Sequence, residues 1–152
     1  MTKFLLSLAC LGATLALPGA HAQTAAAGAL LSADDALFRV LGGQAGIDRI
    51  VADFVPRLAA DSRTGEFFRK TNQAHLKAML AQQFCVVTGG PCVYTGLPMK
   101  TAHQDIDVSK ADFNALVEIL QASMDAQGVP FATQNQLLAR LAPMHRDIVN
   151  VH

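Results

Sequence analysis

Residues 89–103, GGPCVYTGLPMKTAH, form the stretch that decides the fold. Its glycines and prolines interrupt regular structure and leave room for only a turn or two of helix, around residues 99–103. No run on either side alternates apolar and polar residues convincingly, whereas several apolar stripes follow the helical period. The sequence therefore predicts a single all-α domain whose helices are joined by glycine-rich turns.

Two helices are predicted at the start of the domain. Residues 32–35, SADD, resemble a capping box and open a short helix that ends before the glycine pair at 42–43. A second helix begins near Ile47, and Pro56 should bend or end it because proline lacks a backbone N–H. Its apolar face repeats at helical spacing and consists of Ile50, Val51, Phe54 and Leu58.

Capping residues also mark three later helices. Thr71 or Asn72 begins the first of them, which ends at the glycine pair of the opening stretch. Residues 109–112, SKAD, form a capping box for the next, which ends at residues 128–130, GVP, and residues 133–136, TQNQ, begin the last. The three apolar faces are, in chain order, Leu76, Met79, Leu80, Phe84 and Val87; Phe113, Leu116, Val117, Leu120 and Met124; and Leu137, Leu138, Leu141, Met144 and Ile148.

The N-terminal residues have the pattern of an export signal. Residues 1–33 contain one charged residue, Lys3, which precedes an apolar run and the tripeptide Ala-His-Ala at 20–22. The run is shorter than the ~20 residues that span a bilayer, and a lipoprotein signal at Cys10 is the alternative. We predict export to the periplasm without stable membrane insertion, with a cleaved signal peptide at residues 1–22, an Ala-rich linker at 23–32 and the globular domain at 33–152.

Export would leave two cysteines, Cys85 and Cys92, on either side of a Thr-Gly-Gly-Pro turn. An even number of cysteines in an oxidising compartment favours a structural disulfide, and a redox-switchable pair is the alternative. The C-x-x-C-H pattern of covalent haem attachment does not occur in the sequence.

Charge and motifs exclude several functions. Twelve basic and twelve acidic residues cancel, so the chain lacks the positive surplus typical of proteins that bind nucleic acid or acidic membranes. The hydrolase, metalloprotease and nucleotide-binding motifs are absent from the sequence.

Four scattered histidines remain after export, and His103 is distinctive because it lies in a short segment bounded by glycine and proline. Its residue context alone leaves open a metal ligand or a hydrogen-bonding surface residue.

Residues 37–149 resemble the group I truncated haemoglobins, which are compact two-over-two helical globins. The specific element is the run GGP-x-x-Y-x-G followed by MK-x-x-H, within the opening stretch. The other matching elements are LFRVLGGQAGI at 37–47, FF at 67–68, DF at 112–113, GVP at 128–130, AP at 142–143 and DIV at 147–149.

The resemblance implies haem b in an apolar cleft of the domain at residues 33–152, with His103 as the proximal iron ligand. It places Phe68 against the plane of the haem. The other positions that it assigns are walls of the pocket, Phe54 and Phe84, and polar residues near the haem propionates, Thr71, His75 and Lys100.

This chain departs from the family where oxygen-stabilising relatives carry a tyrosine and a glutamine. Val55 and Leu80 occupy those positions, with Leu76 nearby, and none of the three can donate a hydrogen bond to bound dioxygen. Met79 falls where some relatives carry a histidine that ligates the iron, so it is either a distal ligand or a core residue.

The expected function is an exported haem protein that binds O2, NO or CO at the iron. The alternative is a six-coordinate redox or electron-transfer protein with His103 and Met79 as axial ligands and a separate electron donor. Any catalysis would be a weak nitric-oxide dioxygenase or peroxidase-like activity. A helical interaction module without haem is the remaining hypothesis.

Overall fold

The computed structural model describes residues 35–151, and the predicted signal peptide, linker and Ser32 cap lie outside them. This part of the chain contains no β-strand, and none of its helices is both long and apolar enough to cross a membrane. The helices are α1 (Ala36–Val40), α2 (Gly43–Ala60), α3 (Gly65–Phe68), α4 (Gln73–Val87), α5 (Met99–His103), α6 (Lys110–Ala126), α7 (Phe131–Leu141) and α8 (His145–Ile148), with a 3-10 turn at Ala142–Met144.

Two pairs of long helices form the core. Helices α2 and α7 form one pair, and helices α4 and α6 form the other. Each helix of the first pair packs on both helices of the second. The apolar stripe of α2 is almost fully buried, and Phe54 lies 6.5 Å from Phe84 of α4 between ring centroids. The central buried side chains are Ile47, Ile50, Val51, Phe54, Val55 and Leu58 of α2, Phe84 and Cys85 of α4, Ile119, Leu120 and Met124 of α6, and Leu137 of α7.

The caps predicted for α4 and α6 are confirmed. The Asn72 side chain accepts a hydrogen bond from the His75 N–H, at 3.1 Å, so Asn72 rather than Thr71 caps α4. Ser109 and Asp112 form the complete capping box of α6, with each side chain accepting from the other residue's backbone N–H. Local hydrogen bonds therefore fix both helix starts that flank the stretch 89–103.

The predicted boundaries of α2 are wrong. The helix begins at Gly43 rather than near Ile47, and it continues through Pro56 to Ala60. One backbone hydrogen bond is lost at Pro56, but the burial of Val55 and Leu58 on either side of it offsets that loss. The earlier start depends on Gly46, where a Cβ atom would lie 1.8 Å from the backbone oxygen of Leu41.

The single last helix predicted from the apolar stripe is also wrong. Helix α7 begins at Phe131, directly after Pro130, and ends at Leu141. Pro143 cannot donate to the helix and its ring crowds the preceding turn, so the chain continues as a 3-10 turn and the separate helix α8. The stripe therefore crosses three elements, and the short helix α3 was not predicted at all.

A disulfide joins Cys85, which is buried on α4, to Cys92 in the loop that follows, with 5.9 Å between the Cα atoms. Gly90 makes this close approach possible, since a Cβ atom there would lie 2.5 Å from the Cys85 sulfur. The covalent link therefore ties the start of the loop 89–98 to the core.

We expect Cys92→Ala to lower the free energy of unfolding by about 2–3 kcal/mol, because the small loop would no longer be closed in the unfolded state. The measurement is denaturant unfolding with and without dithiothreitol. Reductant should destabilise the wild-type chain by a similar amount and leave Cys92→Ala unchanged. Equal stability of the oxidised and reduced wild-type protein would contradict the prediction.

Candidate functional site

A cavity of about 490 Å³ opens between α4 on one side and α5 and α6 on the other. Most of its lining is aliphatic or aromatic, which is typical of sites for apolar ligands and cofactors. Helix α4 contributes Leu76, Met79, Leu80, Gln83 and Phe84, the segment around α5 contributes Tyr94, Leu97, Met99, Ala102, His103, Ile106 and Val108, and α6 contributes Phe113, Leu116, Val117 and Leu120.

His103 is the last residue of α5 and a half-buried member of this lining. Its Nδ1 lies 2.8 Å from the backbone oxygen of Met99, one turn earlier. Because a carbonyl oxygen only accepts, this contact assigns the proton to Nδ1 and leaves Nε2 with a free lone pair. A histidine held in this way has the tautomer and the orientation of a metal ligand.

Most of the sequence-predicted site residues lie together. Val55 is instead fully buried in the core beside the cavity, and Lys100 is exposed on α5 outside the lining. The predicted residues that line the cavity are Phe54, Phe68, Thr71, His75, Leu76, Met79, Leu80, Phe84 and His103.

Hydroxyl groups on the cavity wall are engaged with the backbone. Burial raises the pKa of the Tyr94 phenol, which keeps it neutral as a donor. The three hydroxyl groups of the described lining all donate to nearby carbonyl oxygens: Thr64 to Leu58 at 2.8 Å, Thr71 to Phe67 at 3.0 Å and Tyr94 to Leu97 at 3.1 Å.

The wall formed by Leu76, Met79 and Leu80 therefore has no side-chain hydrogen-bond donor of its own. The polar side chains that this helix brings to the lining are His75 and Gln83. Gln83 Nε2 donates to the sulfur of Met99 at 3.2 Å and to that of Met144 at 3.3 Å. The cavity is thus mostly apolar along α4, and His103 of α5 belongs to the same lining.

Sequence reasoning missed Gln83, Tyr94, Met99 and Met144 as members of the lining. Gln83 lies four residues after Met79, so its helical spacing placed it on the same stripe. Tyr94 and Met99 belong to the opening stretch itself. Met144, which follows the break at Pro143, and the loop residues Ile106 and Val108 required the tertiary structure.

Comparisons with known proteins agree with this geometry. The family model described as bacterial-like globin matches residues 36–150. The chain is 33% identical over 108 residues to the group 1 truncated hemoglobin GlbN of Mycolicibacterium paratuberculosis, covering 71% of this chain and 79% of that protein. The chain belongs to the truncated globins. The predicted resemblance is confirmed, and with it a family that binds haem and gases.

Solved structures of truncated globins have the same fold. The Fe(III) form of the Tetrahymena pyriformis truncated hemoglobin superposes with a TM-score of 0.72 and 26% identity, covering 75% of this chain and 97% of that one. The 2/2 hemoglobin of Synechococcus sp. PCC 7002, in the cyanomet state and with covalently attached haem, gives a TM-score of 0.70 at 26% identity, covering 75% and 98%. The predicted helical globin fold is confirmed.

The residues of this truncated globin fit a haem. Of the two imidazoles in the lining, His75 and His103, the one with its Nδ1 held by a backbone carbonyl is His103, which suits iron protoporphyrin, and most of the surrounding lining is apolar. Aromatic side chains from three elements, Phe54, Phe68 and Phe84, contribute to the walls.

We expect His103→Ala to accelerate haem loss by at least the ~10–100-fold that removal of an outer-shell partner of a metal site costs. The measurement is haem transfer from the ferric protein to an excess of apomyoglobin. His145→Ala is the matched control, because His145 packs edge-on against Phe113, at 4.8 Å between ring centroids, and is not part of the cavity lining. Equal haem loss from the two variants would contradict the role of His103.

Proposed function

We propose that this truncated globin binds diatomic gases at the iron of haem b, with His103 as the proximal ligand and an apolar ligand pocket under α4. The observation that carries the proposal is that one cavity is lined both by His103, whose Nδ1 is held by the Met99 carbonyl, and by the apolar residues Leu76, Met79 and Leu80.

The haem, when bound, supplies an iron with one open coordination position for a small gas. The protein would hold that iron through His103, whose proton is kept on Nδ1 by the Met99 carbonyl. The apolar walls would exclude water from the open position, since the three hydroxyl groups of the lining already donate to the backbone. The chain would therefore contribute the orientation of the iron ligand and a largely apolar environment.

The apolar wall bears on which gases are retained. Bound dioxygen carries partial negative charge and is stabilised by a hydrogen-bond donor, whereas carbon monoxide depends on such a donor much less. Leu80 and Leu76 supply none, and Val55 is buried in the core. We infer that the protein releases dioxygen quickly, which disfavours a storage role and efficient dioxygenation of nitric oxide.

The absorption spectrum of the ferrous protein tests the proposal. We expect a five-coordinate spectrum without added ligand and full conversion by carbon monoxide. Met79→Ala should leave that spectrum unchanged, because Met79 is a half-buried wall residue of the cavity, and methionine on an apolar helix face serves mainly to fill space. A six-coordinate low-spin spectrum that becomes five-coordinate in Met79→Ala would favour the His103–Met79 electron-transfer alternative. Absence of a Soret band after reconstitution would contradict haem binding itself.

Leu80→Gln should slow the dissociation of dioxygen by about tenfold, because an amide donor placed in a dry pocket contributes about 1–1.5 kcal/mol. Leu80→Met is the control, since it conserves volume and adds no donor. The measurement is stopped-flow displacement of dioxygen by carbon monoxide. If both variants release dioxygen at the wild-type rate, the missing donor at residue 80 does not limit retention.

We further propose that the chain is exported to the periplasm and holds haem b without a covalent bond. The charge-poor pattern of residues 1–33 and the disulfide between Cys85 and Cys92 support export. Denaturing mass spectrometry of the protein from cell fractions tests both statements. We expect a mature periplasmic chain that begins at Gln23 and lacks the mass of a haem. A cytoplasmic full-length chain would contradict export, and a haem adduct would contradict non-covalent binding.

A further inference from the structure

The C-terminal segment runs alongside the loop that follows His103. The backbone N–H groups of Asn150 and Val151 donate to the Val108 oxygen at 3.1 and 3.2 Å, and Ser109 pairs with Val151 in a parallel bridge. Ile106 and Val108 of this loop line the cavity. The end of the described chain is thus attached to the wall that carries the imidazole.

The Asn150 side chain makes three further hydrogen bonds to the same loop. Its Nδ2 donates to the backbone oxygen of His103 at 2.9 Å and to that of Ile106 at 2.6 Å, and its Oδ1 accepts from the Val108 N–H at 2.8 Å. Two acceptors and one donor determine which amide atom is nitrogen, since a flipped amide would place its oxygen against two carbonyls. One side chain thus adds a second partner to three backbone groups that also bond within the loop, where Ile106 N–H donates to His103 O at 3.2 Å and Val108 N–H donates to Ile106 O at 2.9 Å.

These contacts give the C-terminal end of α5 hydrogen-bond partners that lie outside the helix. A helix of five residues is marginal alone, and its last carbonyl groups have no partners within the helix. Asn150 holds the carbonyl of His103, and the Met99 carbonyl holds the ring of the same residue. The backbone and the imidazole of His103 are therefore fixed from two directions by separate parts of the chain.

We propose that Asn150 is a positioning residue that sets the orientation of the His103 imidazole toward the haem iron and so the strength of the iron–histidine bond. The inference rests on the proposed function and deepens it, because it assigns a supporting residue to the proximal ligand. A hydrogen bond to the ring of a ligating histidine orients that ligand, and here the Met99 carbonyl makes it. Asn150 bonds the backbone oxygen of His103 instead, so it acts on the ring through the position of the backbone.

The experiment compares Asn150→Ala and Asn150→Asp with Asn135→Ala in the full chain reconstituted with haem. Asn135 is exposed on α7 and serves as a matched control. Asn150→Asp keeps an acceptor for the Val108 N–H but replaces the donor with an oxygen that faces two carbonyls. The readouts are the iron–histidine stretching band of the ferrous protein, the rate of haem loss, and amide exchange of Val108 in the haem-free protein.

Both Asn150 variants should shift and broaden the stretching band and release haem at least ~10-fold faster, while Asn135→Ala behaves as wild type. Amide exchange of Val108 should accelerate in Asn150→Ala without haem. Variants that are less stable but keep the wild-type stretching band and haem loss would overturn the inference, since Asn150 would then be only structural.

The outcome for His103 separates this inference from the proposed function. If His103→Ala abolishes the proximal band and Asn150→Ala leaves it unchanged, the inference fails and the proposed function stands. If His103→Ala keeps the wild-type haem spectrum, the proposed function fails. Faster Val108 exchange in Asn150→Ala would then describe a structural contact and would not rescue the inference.

Discussion

Helix α5 has five residues, too few to be stable by itself, and it carries the histidine on which the chemistry of the cavity depends. The surrounding structure supplies the missing constraints. The Met99 carbonyl accepts from the imidazole, and the Gln83 amide of α4 donates to the sulfur of Met99. Asn150 completes the set from the C-terminal segment. His103 is thus held by contacts within its own helix, which α4 supports through Met99, and by a contact to the end of the described chain.

Polar groups of the cavity are divided between two tasks. Near α5, hydrogen bonds fix the backbone and the imidazole, and the threonine and tyrosine hydroxyls elsewhere on the wall are occupied by nearby carbonyls. On the face of α4, Leu76, Met79 and Leu80 offer no hydrogen-bond donor, whereas His75 and Gln83 are the polar side chains that this helix brings to the lining. Because an unpaired donor in an apolar cavity is costly, the pairing of the hydroxyl groups and of the Gln83 amide stabilises the fold. Under the proposed function, the same arrangement accounts for weak retention of dioxygen.

The sequence predicted what local chemistry controls. The caps at Asn72 and Ser109, the glycine turn after α4 and the short helix at Met99–His103 are all formed by residues close together in the chain. His103 itself could be recognised only through the family resemblance, because a lone histidine has no periodicity to identify its role. Composition and spacing alone predicted the all-α fold class but did not identify the site.

Tertiary packing decided the rest. Helix α2 continues past Pro56 because burial of its apolar face outweighs one lost hydrogen bond. Rules based on neighbouring residues do not include this free energy of burial. The contact between Asn150 and His103 spans 47 residues of sequence, so no window of the chain could reveal it. Gln83 was the one missed residue whose helical spacing gave a usable signal.

The two segments that line the cavity around α5 are stabilised by different kinds of interaction, and this difference affects how readily each of them opens. A disulfide fixes the start of the loop that contributes Tyr94 and Leu97, whereas the segment from α5 to Val108 has no disulfide and is held by hydrogen bonds, by the burial of Val108 and by packing of α5 on α8. Covalent closure persists through local fluctuations, while individual hydrogen bonds open far below the free energy of global unfolding. A haem bound in the cavity would contact both walls, and its binding energy would stabilise the weaker one most. Under the proposed function, occupancy of the site by haem and the order of α5 would therefore be coupled.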